Sequence, residues 1–596
     1  MEPESQRTLS YRTLAVWLWP LFRPYWGHFA GAFLLLVFSA GLLVEGPILV
    51  KRAIDRDIAQ GDLDGLKVTV AFFVLVQITY LVTLYVMRNW LEWAGQRVMA
   101  DLRQKVFRHL ISLPVAFHDK TTPGQLLSRL ESDTQALRML FTTTAVMLVG
   151  DFLMMIGMAG VMVWFSPRLA LVTGSVVPLM ILVTMFFHRR FYPLFVDVRR
   201  QNSEIASRLA ELIQAVPLLQ AYARHRWATS RLREITRHKY DTQMVAEWYV
   251  IVWFNLIFVI ETMAHCLILG VGGYWALSGG VTIGLLAMFM GYVRRFFDPL
   301  HRLAEQLATI QKAFASAERV LRLLQEPNTV PDSKAPNSFA GFKRQIQFEN
   351  VWFRYADDGE WVLKNVSFTL PVGESWALVG PTGSGKTTIV SLLLRFYDPQ
   401  EGQVLVDGVD LRDLPIKEWR HSLGMVLQDL YLFPGNLKEN LTMGRDVSDA
   451  ALQKAAEITL ADRFIRELPD SENTDLAERG GNLSVGQRQL LSFTRALAGD
   501  PDLLILDEAT SAVDPATEHL LSTATRRVLT GRTALIIAHR LSTIRHCDRI
   551  LVLNHGEIVE QGSHEVLLEN GGLYQNLYEL QFKEKSAKQS PEEAKR

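Results

Sequence analysis

The 596 residues are too many for one compact core, so two or more domains are expected. Basic and acidic residues balance at 62 each, which excludes a bulk positive charge aimed at nucleic acid. With 49 % hydrophobic residues and a positive mean hydropathy, the chain is too apolar to be wholly water-soluble, and a membrane portion is predicted.

The first residues, 1–7, are polar and partly acidic and lack the basic start and small-residue cleavage site of a signal peptide. Trp17, Trp19, Phe22 and Trp26 mix with Arg12 and Arg23, the composition of an interfacial helix leading into a bilayer. Apolar runs long enough to span (~20 residues) then recur. They lie at about 27–50, 66–87, 141–165, 169–187, 250–277 and 283–297, which predicts six helices in three pairs. The connections 51–65, 166–168 and 278–282 are short. The connections 88–140 and 188–249 are long, helical in pattern and rich in Arg and Lys. The positive-inside tendency places both long connections, and with them both termini, in the cytoplasm. Each reads as two membrane helices that continue past the bilayer and meet at a turn. The turns are expected near Phe117–Gly124, between Pro114 and Pro123, and near Tyr222–Ala228.

Four ionisable residues interrupt the spans, and each should face a partner or a watery cavity. Glu45 stands near the basic pair Lys51–Arg52 once a turn at Pro47 is allowed for, so it reads as a rim ion pair or a transport residue. Glu261 and His265 are spaced i,i+4 and share a helix face. With Asp151 they are the candidates for a polar cavity lining, the alternative being a helix–helix contact. Cys266 and Cys547 lie far apart without metal-ligand company and read as small buried hydrophobes.

The stretch 326–341 is rich in Pro, Asn, Ser and Asp and reads as a linker between a membrane domain, 1–325, and a soluble domain, 342–582. The tail, 583–596, is charged, lacks large apolar residues and is expected to be disordered. In the soluble half, an apolar strand (375–379) runs into Gly380, Pro381, Thr382, Gly383, Ser384, Gly385, Lys386, Thr387 and Thr388, followed by a helical run. Strand, glycine loop and helix form the phosphate loop G-x-x-x-x-G-K-[ST]. Its backbone N–H groups and helix N-terminus suit phosphate. Lys386 is expected to reach the β- and γ-phosphates, and Thr387 a Mg²⁺ ion.

Downstream, the apolar run 503–506 ends in Asp507 and Glu508. They suit the Mg²⁺ shell and the polarisation of an attacking water, respectively. A second apolar strand, 535–538, ends at His539, placed to sense the γ-phosphate. Gln428 follows the strand 424–427. Ser484, Val485, Gly486 and Gln487 open another helix, a second phosphate-binding end about a hundred residues from the first.

Together these motifs make the second half resemble the nucleotide-binding domain of ABC transporters, and the whole chain, from about Tyr11 to Phe582, resembles an ABC exporter half-transporter. The fold class implied is an all-α membrane domain of six transmembrane helices with long cytoplasmic extensions, followed by an α/β P-loop ATPase domain. The resemblance implies that Tyr355 stacks on adenine, 380–387 is Walker A, Gln428 is the Q-loop and a Mg²⁺ contact, and 483–487 is the signature. It makes 503–507 Walker B, Glu508 the catalytic base, Asp514 part of the D-loop and His539 the switch. The stretch 474–480, with Glu478, looks like the exporter X-loop. The stretch 102–130, with Phe117, Asp119, Gly124, Ser128 and Arg129, looks like the first intracellular loop. Gln220, Ala221 and Tyr222 look like the second coupling helix, with His225 where an acid is usual.

The family further implies ATP and Mg²⁺ as cofactors, the cytoplasmic (inner) membrane as the location, and a dimer in which each ATP is sandwiched between Walker A of one chain and the signature of the other. ATP binding closes the ATPase domains and turns the membrane domain outward. Val485 departs from the usual glycine, and its β-branch would crowd the backbone facing the γ-phosphate. With Glu508 and His539 intact, the chain resembles the MdlB-like subunit of heterodimeric multidrug-type exporters, with a different half-transporter as partner. The expected cargo is an amphiphile, drug or lipid; the alternative is a homodimeric lipid flippase. A chromosome or translation ATPase of the same superfamily is disfavoured by the apolar spans.

Overall fold

The computed structural model describes residues 11–333, 337–339, 341–428, 430–508, 515–538 and 541–580. The expected tail at 583–596 lies outside them. By their contacts the residues divide into two compact units. One is Met1–Ile111 with Pro123–Glu326; the other is Ser112–Thr122 with Pro327–Arg596.

The first unit is helical throughout. A short helix, Tyr11–Phe22, carries the N-terminal aromatics and precedes Trp26–Arg52. The long basic connections are continuations of membrane helices, as their pattern predicts. Leu63–Ser112 runs unbroken for 50 residues. At ~1.5 Å per residue that is about 75 Å, more than twice the ~30 Å hydrocarbon core. Val176–Gln214 and His225–Leu267 flank a short helix, Val216–Ala221, and the reversal after it falls at 222–224, where the turn is expected. Among the described residues, five stretches are long and apolar enough to cross a membrane: Val16–Ile58, Leu63–Ser112, Pro123–Phe165, Pro167–Gln214 and His225–Leu277. Only 17 % of the apolar window of Leu63–Ser112 is buried inside the protein, so most of its apolar side chains face outward, as lipid contact requires. The sixth expected run begins the helix Ile283–Leu324, where Arg294, Arg295 and Asp298 cut the apolar stretch short.

The core of this unit is a cluster around Met158, Ile257, Ile268, Phe289 and Tyr292, all at most 1 % exposed. Two expectations are corrected here. Pro47 lies inside the helix Trp26–Arg52 and makes no turn, so Glu45 and Lys51 stay six residues apart on different faces. Lys51 pairs instead with Asp55, one turn on, at 3.1 Å. Cys266 is exposed, on an outward face of its helix, while Cys547 is buried as expected; neither is in a disulfide.

The second unit is built on two large sheets, with a small third one made by Gly435–Asn436 and Asp475–Leu476. Gln345–Phe353 pairs antiparallel with Leu363–Pro371 and Glu401–Val406, and Val409–Asp410 completes this sheet. The other sheet has six strands in the order Glu557–Gly562, Arg549–Asn554, Ser375–Val379, Thr533–Ala538, Leu503–Glu508, Leu423–Val426. All pairs in it are parallel except the first. Ser375–Val379 and Thr533–Ala538 are buried at every position, which explains their uninterrupted apolar sequence. Part of 326–341 packs on this unit. Phe339 meets Trp419 edge-on at 5.8 Å, and Arg395 Nη2 donates to the Pro331 carbonyl at 2.9 Å.

Candidate active site

The glycine loop rises from the carboxyl end of the central strand Ser375–Val379. Gly380 has φ +155°, and a Cβ there would stand 2.1 Å from the Leu553 carbonyl oxygen of the neighbouring strand. Gly385 has φ +103°, and a Cβ would meet Leu363 Cδ2 at 2.5 Å. Both glycines are therefore demanded by backbone conformation and by space. Pro381, Thr382 and Gly383 form the exposed crest, while Ser384 and Lys386 are buried. The helix Lys386–Leu393 begins at once, so the loop's N–H groups and the helix start share one concavity.

Lys386 folds back over the loop. Its Nζ donates to the carbonyls of Gly380 at 2.8 Å and Pro381 at 2.9 Å. Burial pulls its pKa down, and the Asp507 charge opposes the fall. An ammonium held by neutral carbonyls in a cradle of glycines fits a phosphate group. Thr387 is exposed on the first helical turn, and Thr388 Oγ1 lies 3.0 Å from the Tyr355 hydroxyl. Tyr355 leaves 45 % of its surface open, enough ring for a base to stack on, and it is braced edge-on by Phe353 at 5.0 Å and Tyr397 at 5.2 Å.

The acidic pair closes a strand two positions over, beyond Thr533–Ala538. In the sheet Asp507 is level with Ile537 and Glu508 with Ala538, so both lie at the carboxyl edge shared with the glycine loop. Gln428 is exposed just beyond Leu423–Val426, the strand next to Leu503–Glu508. Asp514 and His539 lie outside the described residues, as does the side chain of Glu508.

Ser484 caps the helix Val485–Leu497 with a capping box: Gln487 N donates to Ser484 Oγ at 3.2 Å and Ser484 N to Gln487 Oε1 at 2.9 Å. A Cβ on Gly486 would strike Thr517 Cγ2 at 2.3 Å, so that glycine is required by the chain's own packing. Val485 is 45 % exposed at the first helical position and strains nothing in its own chain. The signature helix packs on Leu423–Val426 and on Pro515–Leu529, whereas the glycine loop rises between Thr533–Ala538 and Arg549–Asn554.

Three contacts were not legible beforehand. Arg495 Nη1 donates to the Tyr431 carbonyl at 2.8 Å and its Nε to the Asn440 carbonyl at 3.0 Å, pinning the segment after Gln428 to the signature helix. Arg488 Nη1 reaches the carbonyls of Leu483 at 2.9 Å and Gly480 at 3.3 Å, joining that helix to the stretch around Glu478. The Tyr397 hydroxyl donates to Asp119 in the segment Ser112–Thr122, and burial followed by the Asp119 carboxylate pushes the Tyr397 pKa up. A signal existed for Arg495 alone, a charge set among the apolar positions of a buried helix face.

The membrane candidates separate. His265 Nδ1 lies 2.9 Å from the carbonyl oxygen of Glu261, so the pair meets through backbone and not through the carboxylate. Asp151, which accepts from Gln306 Nε2 at 3.4 Å, lines a cavity of about 690 Å³; Glu261 and His265 do not.

Fold and site together define a membrane-spanning P-loop ATPase. The ABC transporter transmembrane region matches residues 29–300 and the ABC transporter ATPase family matches 363–511. The chain belongs to the ABC transporters, as an exporter-type half-transporter that binds ATP and couples its hydrolysis to transport. It is 37 % identical to the Bacillus subtilis "Probable multidrug resistance ABC transporter ATP-binding/permease protein YheH", over 82 % of this chain and 73 % of that one. It is 34 % identical to an ATP-dependent lipid A-core flippase of Desulfotalea psychrophila, over 92 % and 96 %. A bacterial Atm1-family ABC exporter solved with ATP bound superposes with a TM-score of 0.76 at 27 % identity, covering 94 % of this chain and 98 % of that one.

Proposed function

We propose that the chain is one half of a dimeric exporter that moves amphiphilic compounds, drugs or lipids, across the cytoplasmic membrane. The observation that carries this reading is the separation of the two phosphate-binding ends within one chain. The glycine loop and the signature helix belong to different strands of the sheet, so a second chain's signature completes each ATP site. In this reading Lys386 leaves its own loop carbonyls for the phosphates, and Tyr355 stacks on the base. Glu508 takes the proton of the attacking water, with Gln428 and His539 orienting it, and Asp514 faces the partner.

Thr387, Asp507 and Gln428 offer oxygen donors only, the hard set that suits Mg²⁺. Bound there, the ion supplies neutralisation of charge on the transferred phosphoryl group. The membrane boundaries 1–325, 326–341 and 342–582 belong to this proposal, as do the cytoplasmic termini.

A heterodimer is the favoured assembly. Val485 is exposed and free of any role in its own chain, so its cost falls on whatever faces the signature. The relative that moves lipid A-core supports the second reading, a homodimeric lipid flippase. The test is Glu508→Gln in the purified complex. ATP binding, measured by nucleotide-dependent thermal stabilisation, is expected to stay, and phosphate release to fall by roughly a hundredfold or more. Full turnover would show that this carboxylate is not the base.

A further inference from the structure

Pro47 interrupts the hydrogen-bond ladder of Trp26–Arg52, because it has no N–H to give to the carbonyl of Leu43 four residues back. One side chain of Ile283–Leu324 makes good the loss, and a second bonds the next carbonyl. Arg295 Nη1 donates to the Leu43 carbonyl at 2.6 Å, and the Tyr292 hydroxyl donates to the Val44 carbonyl at 2.7 Å. Gly291 lets the helices approach, its Cβ position lying 3.6 Å from Pro47 Cγ. Arg295 Nη1 is thereby fixed, which leaves the other guanidinium donors to spare, and Arg295 lines the 690 Å³ cavity.

That cavity carries both signs of charge. Glu92 is already paired with Arg138, and Asp151 is hydrogen-bonded by Gln306. Arg88, Arg295 and Asp298 also line it, and among the described residues none of the three forms an ion pair. Arg295 and Asp298 are spaced i,i+3, on one face of their helix. Ionisable groups in a membrane-spanning bundle are costly unless something answers them. The remaining wall mixes apolar residues, Leu36, Leu84 and Met154 among them, with Ser39, Asn89 and Thr142.

We propose that this cavity is the cargo site and that it takes an amphiphile whose headgroup carries an anion and a cation side by side. Resting on the exporter reading above, the proposal names the class of cargo. The clamped guanidinium of Arg295 takes a phosphate or carboxylate oxygen. Asp298 takes the ammonium, and the apolar residues Leu36, Leu84 and Met154 take the tail. A single-charge amphiphile satisfies one residue and leaves the other unanswered.

The test uses the complete transporter in maltoside micelles and three dodecyl probes: the phosphocholine, the trimethylammonium and the phosphate. In the wild type, phosphocholine is expected to change ATPase turnover at a concentration roughly tenfold below either single-charge probe. Asp298→Asn removes its advantage over the phosphate. Arg295→Gln removes its advantage over the trimethylammonium, and the glutamine amide still offers the Leu43 carbonyl a donor. Arg295→Lys restores the wild-type order, which separates the charge from packing. Transfer of phosphatidylcholine between leaflets of proteoliposomes, sensitive to the same substitutions, identifies a lipid as the source of the headgroup. The same preferences without transfer identify a soluble zwitterion. A response whose order ignores both neutral substitutions overturns the cavity proposal alone. No response of the wild type to any probe overturns the amphiphile reading, and the cavity proposal falls with it.

Discussion

Gly380 and Lys386 show how the catalytic loop trades stability for readiness. Gly380→Ala forces a Cβ into the Leu553 carbonyl and a backbone angle that side chains avoid. About 1–3 kcal/mol of strain is expected, read as a lower melting temperature and a lost response to ATP. Lys386→Met should act in the opposite sense on the empty protein. Burial disfavours the ammonium, so the methionine variant is expected to melt no lower than wild type, while losing all stabilisation by ATP. His564 gives the pH dependence. It is 6 % exposed, with Nδ1 2.7 Å from the Tyr574 hydroxyl. Its pKa is pulled down by burial first, then by Arg545, against the pull of Glu565; the Tyr578 ring also packs against it. A folded value below the unfolded one, about 6.5, means that the unfolded chain binds the proton more tightly. Stability is therefore full above about pH 6.5 and falls as the pH drops toward the folded value. Melting temperatures between pH 7.5 and 5 should slope less in His564→Gln.

At the scale of elements, what sequence made legible was local. The glycine loop, the capping box at Ser484 and Gln487 and the carboxylates closing the strand Leu503–Glu508 each sit within a few residues of their signal. For Glu261 and His265 the i,i+4 spacing fixes a shared face without saying what that face meets. Arg488 and Arg495 escaped notice because they act on carbonyls brought close only by the fold. The Tyr397–Asp119 bond is of the same kind, joining residues 278 apart. It connects the segment Ser112–Thr122 to the ring that braces Tyr355. Tyr397→Phe keeps the edge-on packing and removes the hydroxyl. ATP affinity is expected to stay within about twofold, since a lost partly exposed hydrogen bond is worth only ~1 kcal/mol and this one does not touch the nucleotide. The increment that cargo adds to ATPase turnover should shrink, because binding at one site can influence the other only through contacts that differ between states. An unchanged increment in the phenylalanine variant would remove this bond from the coupling route.

For the whole molecule, composition already demanded a membrane part, and the long basic connections predicted helices that outrun the bilayer, as the 50-residue Leu63–Ser112 does. What one sequence leaves open is the second chain, since the residue that faces Val485 is not in this chain's own packing. The native mass of the complex, purified from its own membranes through a tag on this chain, decides it. With a different chain of similar size as partner, the two ATP sites are unequal. Glu508→Gln in this chain alone should then remove nearly all hydrolysis. Val485→Gly should raise turnover, because it relieves the crowding at the site that this signature completes. Its effect on the chain's own stability should be small, the side chain being exposed at a helix end. With two copies of this chain, the sites are equal. A mixed dimer carrying one Glu508→Gln should then keep a measurable share of its turnover, and Val485→Gly should leave the rate within about twofold, as expected of a surface substitution. Mass and mixed-dimer turnover must agree: a homodimer whose hydrolysis is abolished by one substituted copy would mean that the two equal sites fire only together.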